Sequence, residues 1–139
     1  MDSAENKKLI AHVFERVAQG DRKPYLDLLH DEVTMTVTGE YSWSRTFKGK
    51  ESVIRDLYGY VASRAPGQRK TTPFRILADD DWVIVEARGD MTTIEGKPYR
   101  NHYCLLYRLA AGRIVEIREY QDSTLCERLL GPYPTERAL

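Results

Sequence analysis

Cysteine is nearly absent from this chain: Cys104 and Cys126 are the only two in 139 residues, with no CxxC and no Cys/His cluster beside either. That excludes a disulfide framework and argues against a structural zinc site, so a reducing, cytoplasmic setting is expected. Neither sign of charge prevails, since 21 Lys and Arg face 21 Asp and Glu. Without a basic field to hold a phosphate backbone, no nucleic-acid partner is expected. No run approaches the ~20 apolar residues that a bilayer-spanning helix needs, so no membrane partner is expected either. The start, Met1-Asp2-Ser3-Ala4-Glu5, is acidic and polar and does not read as a signal peptide. GxGxxG, P-loop, GxSxG and HExxH patterns are all missing. Dinucleotide, nucleoside triphosphate, serine-hydrolase and zincin readings thus lack their minimal parts, and neither cofactor nor metal is expected.

What the chain does have is 42% hydrophobic residues, enough for one core in a domain of this length. Leu9, Ile10, Val13, Phe14 and Val17 fall on one helical stripe, with Asp2 and Glu5 in capping-box spacing before it and Gly20 after it. Asp21 can cap a short second helix that tolerates Pro24 in its first turn and ends near His30-Asp31. Val53, Ile54, Leu57, Tyr58 and Val61 repeat the helical spacing up to Pro66-Gly67.

Between these helices, Val33-Thr34-Met35-Thr36-Val37-Thr38 alternates as a strand with Val33, Met35 and Val37 buried, and a loop carrying Tyr41, Trp43 and Phe47 follows. From Thr71 the period is two, giving four antiparallel strands at about 73–79, 82–93, 98–110 and 113–121 with hairpin connections. The order α-α-β-α-β-β-β-β predicts an α+β fold, three helices over the concave face of a strongly curved antiparallel sheet. Tyr103-Cys104-Leu105-Leu106-Tyr107 is apolar on both parities, so the far face of the sheet needs cover. A homodimer through the sheet is expected, with Leu106, Ile114 and Tyr120 as contacts.

Several residues have chemistry to offer. On the last strand Glu119 shares a parity with Val115, Ile117 and Gln121, which would carry a carboxylate into the interior and raise its pKa toward acid–base work; the alternative is a rim residue paired with a nearby arginine. Arg88-Gly89-Asp90 puts a guanidinium and a carboxylate on one face of a strand. Alternation places them opposite Val83, Val85, Ala87 and Met91, and a one-residue slip would reverse that. His102, beside Asn101 and Tyr103, is either a proton shuttle or a hydrogen-bonded strand histidine. His12 and His30 need no function, and Asp122 reads as the N-cap of a short C-terminal helix. Tyr41, Trp43, Phe47, Tyr58, Tyr99 and Tyr103 suit an aromatic pocket with a few phenol donors.

The element order, with Pro98-Tyr99-Arg100-Asn101-His102-Tyr103-Cys104 and the last-strand run from Gly112 to Asp122, resembles the SnoaL-like, nuclear transport factor 2-like superfamily over nearly the whole chain. The resemblance implies one domain over 1–139, with 131–139 as a loose tail. It also implies a cone-like fold (a cystatin-like roll) with a deep pocket between sheet and helices, common dimerisation, and a range of activities from isomerases and polyketide cyclases to non-enzymes. Against the ketosteroid isomerase pattern, the helix-one tyrosine falls at Val13 or Phe14, the first-strand base near Val37 or Thr38, and the oxyanion-hole aspartate near Tyr103 or Cys104. The limonene-epoxide hydrolase pattern is better met, and would have Glu119 activate a water, Asp90 protonate the leaving oxygen, Arg88 bridge the two acids and Tyr41 help hold the water.

Taken together, these readings predict a pocket protein for a small apolar, polyketide-, steroid- or terpenoid-like molecule. Cofactor-free acid–base catalysis would use Glu119, Asp90, Arg88, His102 and Tyr41, with Trp43, Phe47, Tyr58, Asn101 and Tyr103 shaping the ligand site. A non-catalytic ligand- or partner-binding domain of the same fold is the alternative.

Overall fold

The computed structural model describes residues 1–134. Helix α1 (Ser3–Val17) starts at the expected capping box: the Asp2 carboxylate accepts from the Glu5 amide, and Glu5 reaches back to the Asp2 amide. Its apolar stripe buries Ile10, Val13, Phe14 and Val17 against β3 (Lys70–Asp79) and β4 (Trp82–Thr92). Helix α2 (Lys23–Leu28) follows with Pro24 in its first turn, and Asp21 accepts from the Lys23 amide. It is shorter than expected, because β1 (Leu29–Val37) begins at Leu29 and takes in His30 and Asp31.

Val33, Met35 and Val37 of β1 are buried as the alternation requires. The loop after β1 contains a short strand not expected from sequence, β2 (Thr46–Lys48), which pairs antiparallel with β1. A helical stretch then runs over 50–64 as α3 (Lys50–Ser52), a π-helical segment (Val53–Tyr58) and α4 (Gly59–Arg64). The remaining elements are β5 (Pro98–Tyr99), β6 (His102–Ala110), β7 (Arg113–Gln121) and α5 (Ser123–Leu130). The strand expected over 98–110 is broken at Arg100 and Asn101, and α5 is capped by Asp122 as expected.

The strands form one curled sheet in the order β2-β1-β7-β6-β4-β3, with β5 on β4. Pairing is antiparallel except between β1 and β7, which run parallel. Register shifts in β3 beside Pro73, in β7 beside Ile114 and in β1 after Leu29 supply the bends that curl it. The β6–β7 turn places Ala111 and Gly112 both at positive φ, the backbone of a tight two-residue hairpin.

The bulge in β7 has a second effect. Simple alternation puts Ile114 on the opposite face from Ile117 and Glu119, but the extra residue, Val115, brings Ile114 opposite Leu109 on the concave side, where it is 0% exposed. Ile114 is therefore a core residue and not a dimer contact. The expected loose tail also does not begin at Gly131. Tyr133 is buried in a cage of Trp43, Phe47 and Tyr60 rings, and its hydroxyl donates to the Asp56 carbonyl. Residues 135–139 of that expected tail lie outside the described residues.

Candidate functional site

A cavity of about 80 Å³ lies between the concave face of the sheet and the helices. Phe14 and Val17 of α1, Tyr25 of α2, Leu57 and Tyr58 of the π segment, and Cys126 and Leu130 of α5 form one side. The sheet contributes Met35, Met91, Tyr103, Tyr107, Glu119 and Gln121. The walls are largely apolar and aromatic, with few polar groups, which is the usual make-up of a small-molecule site.

Glu119 reaches the cavity because β7 pairs it with Leu105 of β6 and Val37 of β1, both inward-facing. Its backbone carbonyl is bonded to Thr38, but its carboxyl has no hydrogen bond to any described residue. The side chain keeps some accessible surface through the cavity it lines, while protein surrounds the carboxyl. That burial pushes its pKa up to about 7, against a smaller downward pull from the Arg22 guanidinium. Arg22, the residue that caps α2, also lines the cavity.

Three phenols form a chain along the wall. Tyr107 and Tyr25 oxygens are 3.1 Å apart, Tyr25 and Tyr58 oxygens 2.9 Å, and the Tyr58 hydroxyl donates to the Met35 sulfur at 3.3 Å. Each phenol has one proton, so the arrangement that makes all three bonds has Tyr58 donate to sulfur and accept from Tyr25, and Tyr25 accept from Tyr107. All three hydroxyls are held neutral, first by burial and further by the nearby Glu119 charge. A thioether is a weak acceptor, so a ligand oxygen can take its place as the acceptor of the Tyr58 proton, with two phenols polarising that bond from behind.

A second network tethers the far end of β7. Buried Asn101 accepts on its side-chain oxygen from the His102 and Asp122 amides, and donates from its nitrogen to Tyr99 and Gln121. Gln121 in turn donates to the Tyr41 hydroxyl at 2.8 Å, and burial raises the pKa of that phenol.

The expected site residues therefore divide. Glu119, Tyr58, Tyr103 and Trp43 line the cavity. Tyr41 meets it through Gln121, and Asn101 supports the same residue from within the core. Phe47 is core, packed on Tyr133. Arg88, Asp90 and His102 lie on the convex face: the β4 register puts Val83, Val85, Ala87, Gly89 and Met91 inward and the alternate residues outward. Arg88 and His102 are opposite each other and exposed, and the Asp90 side chain, 63% exposed, pairs with Arg100. The epoxide-hydrolase arrangement lacks two of its three charged groups here, because no slip moves them inward.

The residue of that tripeptide that does face inward is Gly89. A Cβ there would stand 2.8 Å from the Tyr103 ring, so the missing side chain makes room for the ring beside the cavity. Sequence reasoning weighed its charged neighbours and missed it, along with Arg22, Tyr25 and Tyr107. Tyr107 had a visible signal, its shared parity with Tyr103 and Leu105. Arg22, which follows the helix-capping Asp21, had none. Among the described residues, no cluster of three His, Cys, Asp or Glu side chains could hold a metal ion, and no helix is long and apolar enough to cross a membrane.

A curled sheet closed by helices over a largely apolar cavity is the cone-shaped, nuclear transport factor 2-like fold. Within it, the chain belongs to the SnoaL-like domain family, whose model matches residues 10–117. Among curated proteins it is similar to the uncharacterized protein MT0039 of Mycobacterium tuberculosis (strain CDC 1551 / Oshkosh), 24% identical over 112 residues that cover 81% of this chain and 85% of that one. Among solved structures it is similar to an NTF2-like protein of Burkholderia pseudomallei, with TM-score 0.76, 19% identity and coverage of 90% and 96% of the two chains. It is also similar to TerC crystallised with polyporic acid, with TM-score 0.74, 17% identity and coverage of 90% and 97%.

Proposed function

We propose that this protein binds a largely apolar, carbonyl-bearing small molecule in the cavity and moves a proton on the carbon beside the carbonyl, without a cofactor. The observation that carries this reading is Glu119: a carboxyl without a hydrogen-bond partner among the described residues, in an aromatic cavity, with a pKa of about 7. A base poised near the working pH combines a useful ionised fraction with real proton affinity. In the proposed step, the Glu119 carboxylate takes the C–H proton, the electron pair moves into the enolate, and the developing oxyanion accepts the Tyr58 hydroxyl in place of Met35. Returning the proton to the same or another carbon gives exchange or isomerisation, and attack of the enolate on a second carbonyl gives ring closure. That TerC, of the same fold, was co-crystallised with polyporic acid supports a small-molecule ligand for the cavity.

The test is hydrogen–deuterium exchange of acetophenone, 1-tetralone and 2-tetralone in D2O, followed by proton NMR. Exchange is expected to exceed the buffer rate with the unaltered protein and with Asp90→Asn and Arg88→Gln, and to fall to the buffer rate with Glu119→Gln. No acceleration for any ketone, or acceleration that survives Glu119→Gln, overturns the reading.

We also infer a homodimer through the convex face of the sheet. Leu77, Ile84 and Leu106 make a cross-strand apolar row there, with Leu77 53% exposed, and Tyr120 lies beside it at 42%. Light scattering coupled to gel filtration should give twice the chain mass, falling toward one for Leu77→Lys with Leu106→Lys. A monomer before substitution rejects the inference.

A further inference from the structure

Arg22 has no acid to answer it. Its Nε is buried and has no hydrogen-bond partner among the described residues, and its side chain forms no ion pair there. The neighbouring Asp21 is already engaged, by the Arg16 guanidinium and by the Lys23 amide. Arg69, close enough to be disfavoured by the Arg22 charge as well as by its own burial, donates to the Ala65 and Gly67 carbonyls and carries no acidic partner either. Among the described residues, the one cavity-lining carboxyl is that of Glu119, which forms no ion pair with Arg22. Arg22 as a whole is half-buried, so the unmet demand is that of this one nitrogen: an unpaired buried donor on a charged group costs more than a neutral one.

We propose that the missing partner is the ligand: the cavity takes molecules that combine an apolar ring body with a carboxylate, and Arg22 binds that carboxylate. The planar guanidinium edge matches two carboxylate oxygens, a geometry that an ammonium does not offer. The ring body then lies among Phe14, Leu57, Tyr58 and Tyr103, and the carboxylate sets which end of the ligand faces Glu119. This deepens the proposed function and rests on the same cavity.

The experiment compares near-isosteric pairs, benzoate with benzamide and 2-naphthoate with 2-naphthamide. Binding is read by titration calorimetry and by quenching of tryptophan fluorescence, to which Trp43 contributes from the cavity wall, at pH 6, where Glu119 is mostly protonated. The unaltered protein should bind the better-fitting acid at least tenfold more tightly than its amide. Arg22→Gln should abolish that preference, leaving acid and amide within twofold of each other, and Arg22→Lys should retain only part of it. Thermal melts identify any variant that does not fold, and Arg22→Lys then carries the comparison. Equal binding of acid and amide by the unaltered protein, or a preference that survives Arg22→Gln, overturns the assignment of Arg22 and leaves the cavity reading intact. Failure of both members of both pairs to bind at millimolar concentration overturns the cavity reading, and the Arg22 proposal with it.

Discussion

Arg22 and Glu119 line one cavity from two sides, the first from the cap of α2 and the second from β7, and they form no ion pair. Burial therefore dominates the titration of Glu119, with the Arg22 charge only moderating it. An acid held in this state costs stability when ionised, and that cost is measurable without knowing the substrate.

The sign follows from proton counts. The ordinary value for Glu119 is 4.5 and the folded value about 7, so between these the folded protein binds more protons than the unfolded chain. Stability contributed by the protonated acid is fully present below 4.5, falls as pH rises through the window, and is lost above about 7. The loss is on the order of 3 kcal/mol. Glu119→Gln should flatten this dependence in urea unfolding between pH 4.5 and pH 8, and be more stable than the unaltered protein at pH 8. Parallel pH profiles for the two proteins would contradict the assignment.

The phenol chain makes a ranking prediction. Tyr58→Phe strips the Tyr25 proton of its acceptor inside the core, a loss of about 1–3 kcal/mol. Tyr107→Phe leaves every remaining proton with an acceptor and should cost about 1 kcal/mol or less. Chemical denaturation of the two variants gives the order directly, and the reverse order would show that the chain runs the other way.

Gly89→Ala places a methyl group 2.8 Å from the Tyr103 ring, which must shift, and that ring lines the cavity. A stability loss of about 1–3 kcal/mol is expected, with weaker binding of 2-naphthamide. An unchanged affinity would mean that the ring finds room elsewhere.

Tyr133→Ala empties a cage of three aromatic rings and removes the hydroxyl bond to Asp56. By analogy with other large aromatic truncations it should cost about 3–5 kcal/mol in urea unfolding. A loss under 1 kcal/mol would place residues 131–134 outside the cooperative core.

Much of the fold was legible from residue patterns, because it rests on periodicity: the α1 stripe, the buried triad of β1, the hairpin turns and the Asp122 cap all follow from local rules. The inward turn of Glu119 was legible for the same reason. Ile114 was misread because one extra residue in β7 changes the parity on either side of it, and nothing in Arg113-Ile114-Val115-Glu116 marks the bulge. The parallel β1–β7 pair and β2 depend on tertiary hydrogen bonds that no local pattern encodes, and the i→i+5 bonding of the π segment leaves no mark in the apolar spacing. Arg88 and Asp90 drew attention as charges, and strand alternation, which already placed them opposite the apolar set, was the better guide.

The family match ends at residue 117, yet Glu119, Gln121, Cys126 and Leu130 all come after it. The stretch after residue 117 thus delivers the acid and the α5 wall, while Arg22, Tyr58 and the strand neighbours of Glu119 come from the chain before it. A chimera that grafts this stretch from another member of the family onto residues 1–117 would exchange the acid and the α5 wall in a single cut, leaving the aromatic walls of the host in place.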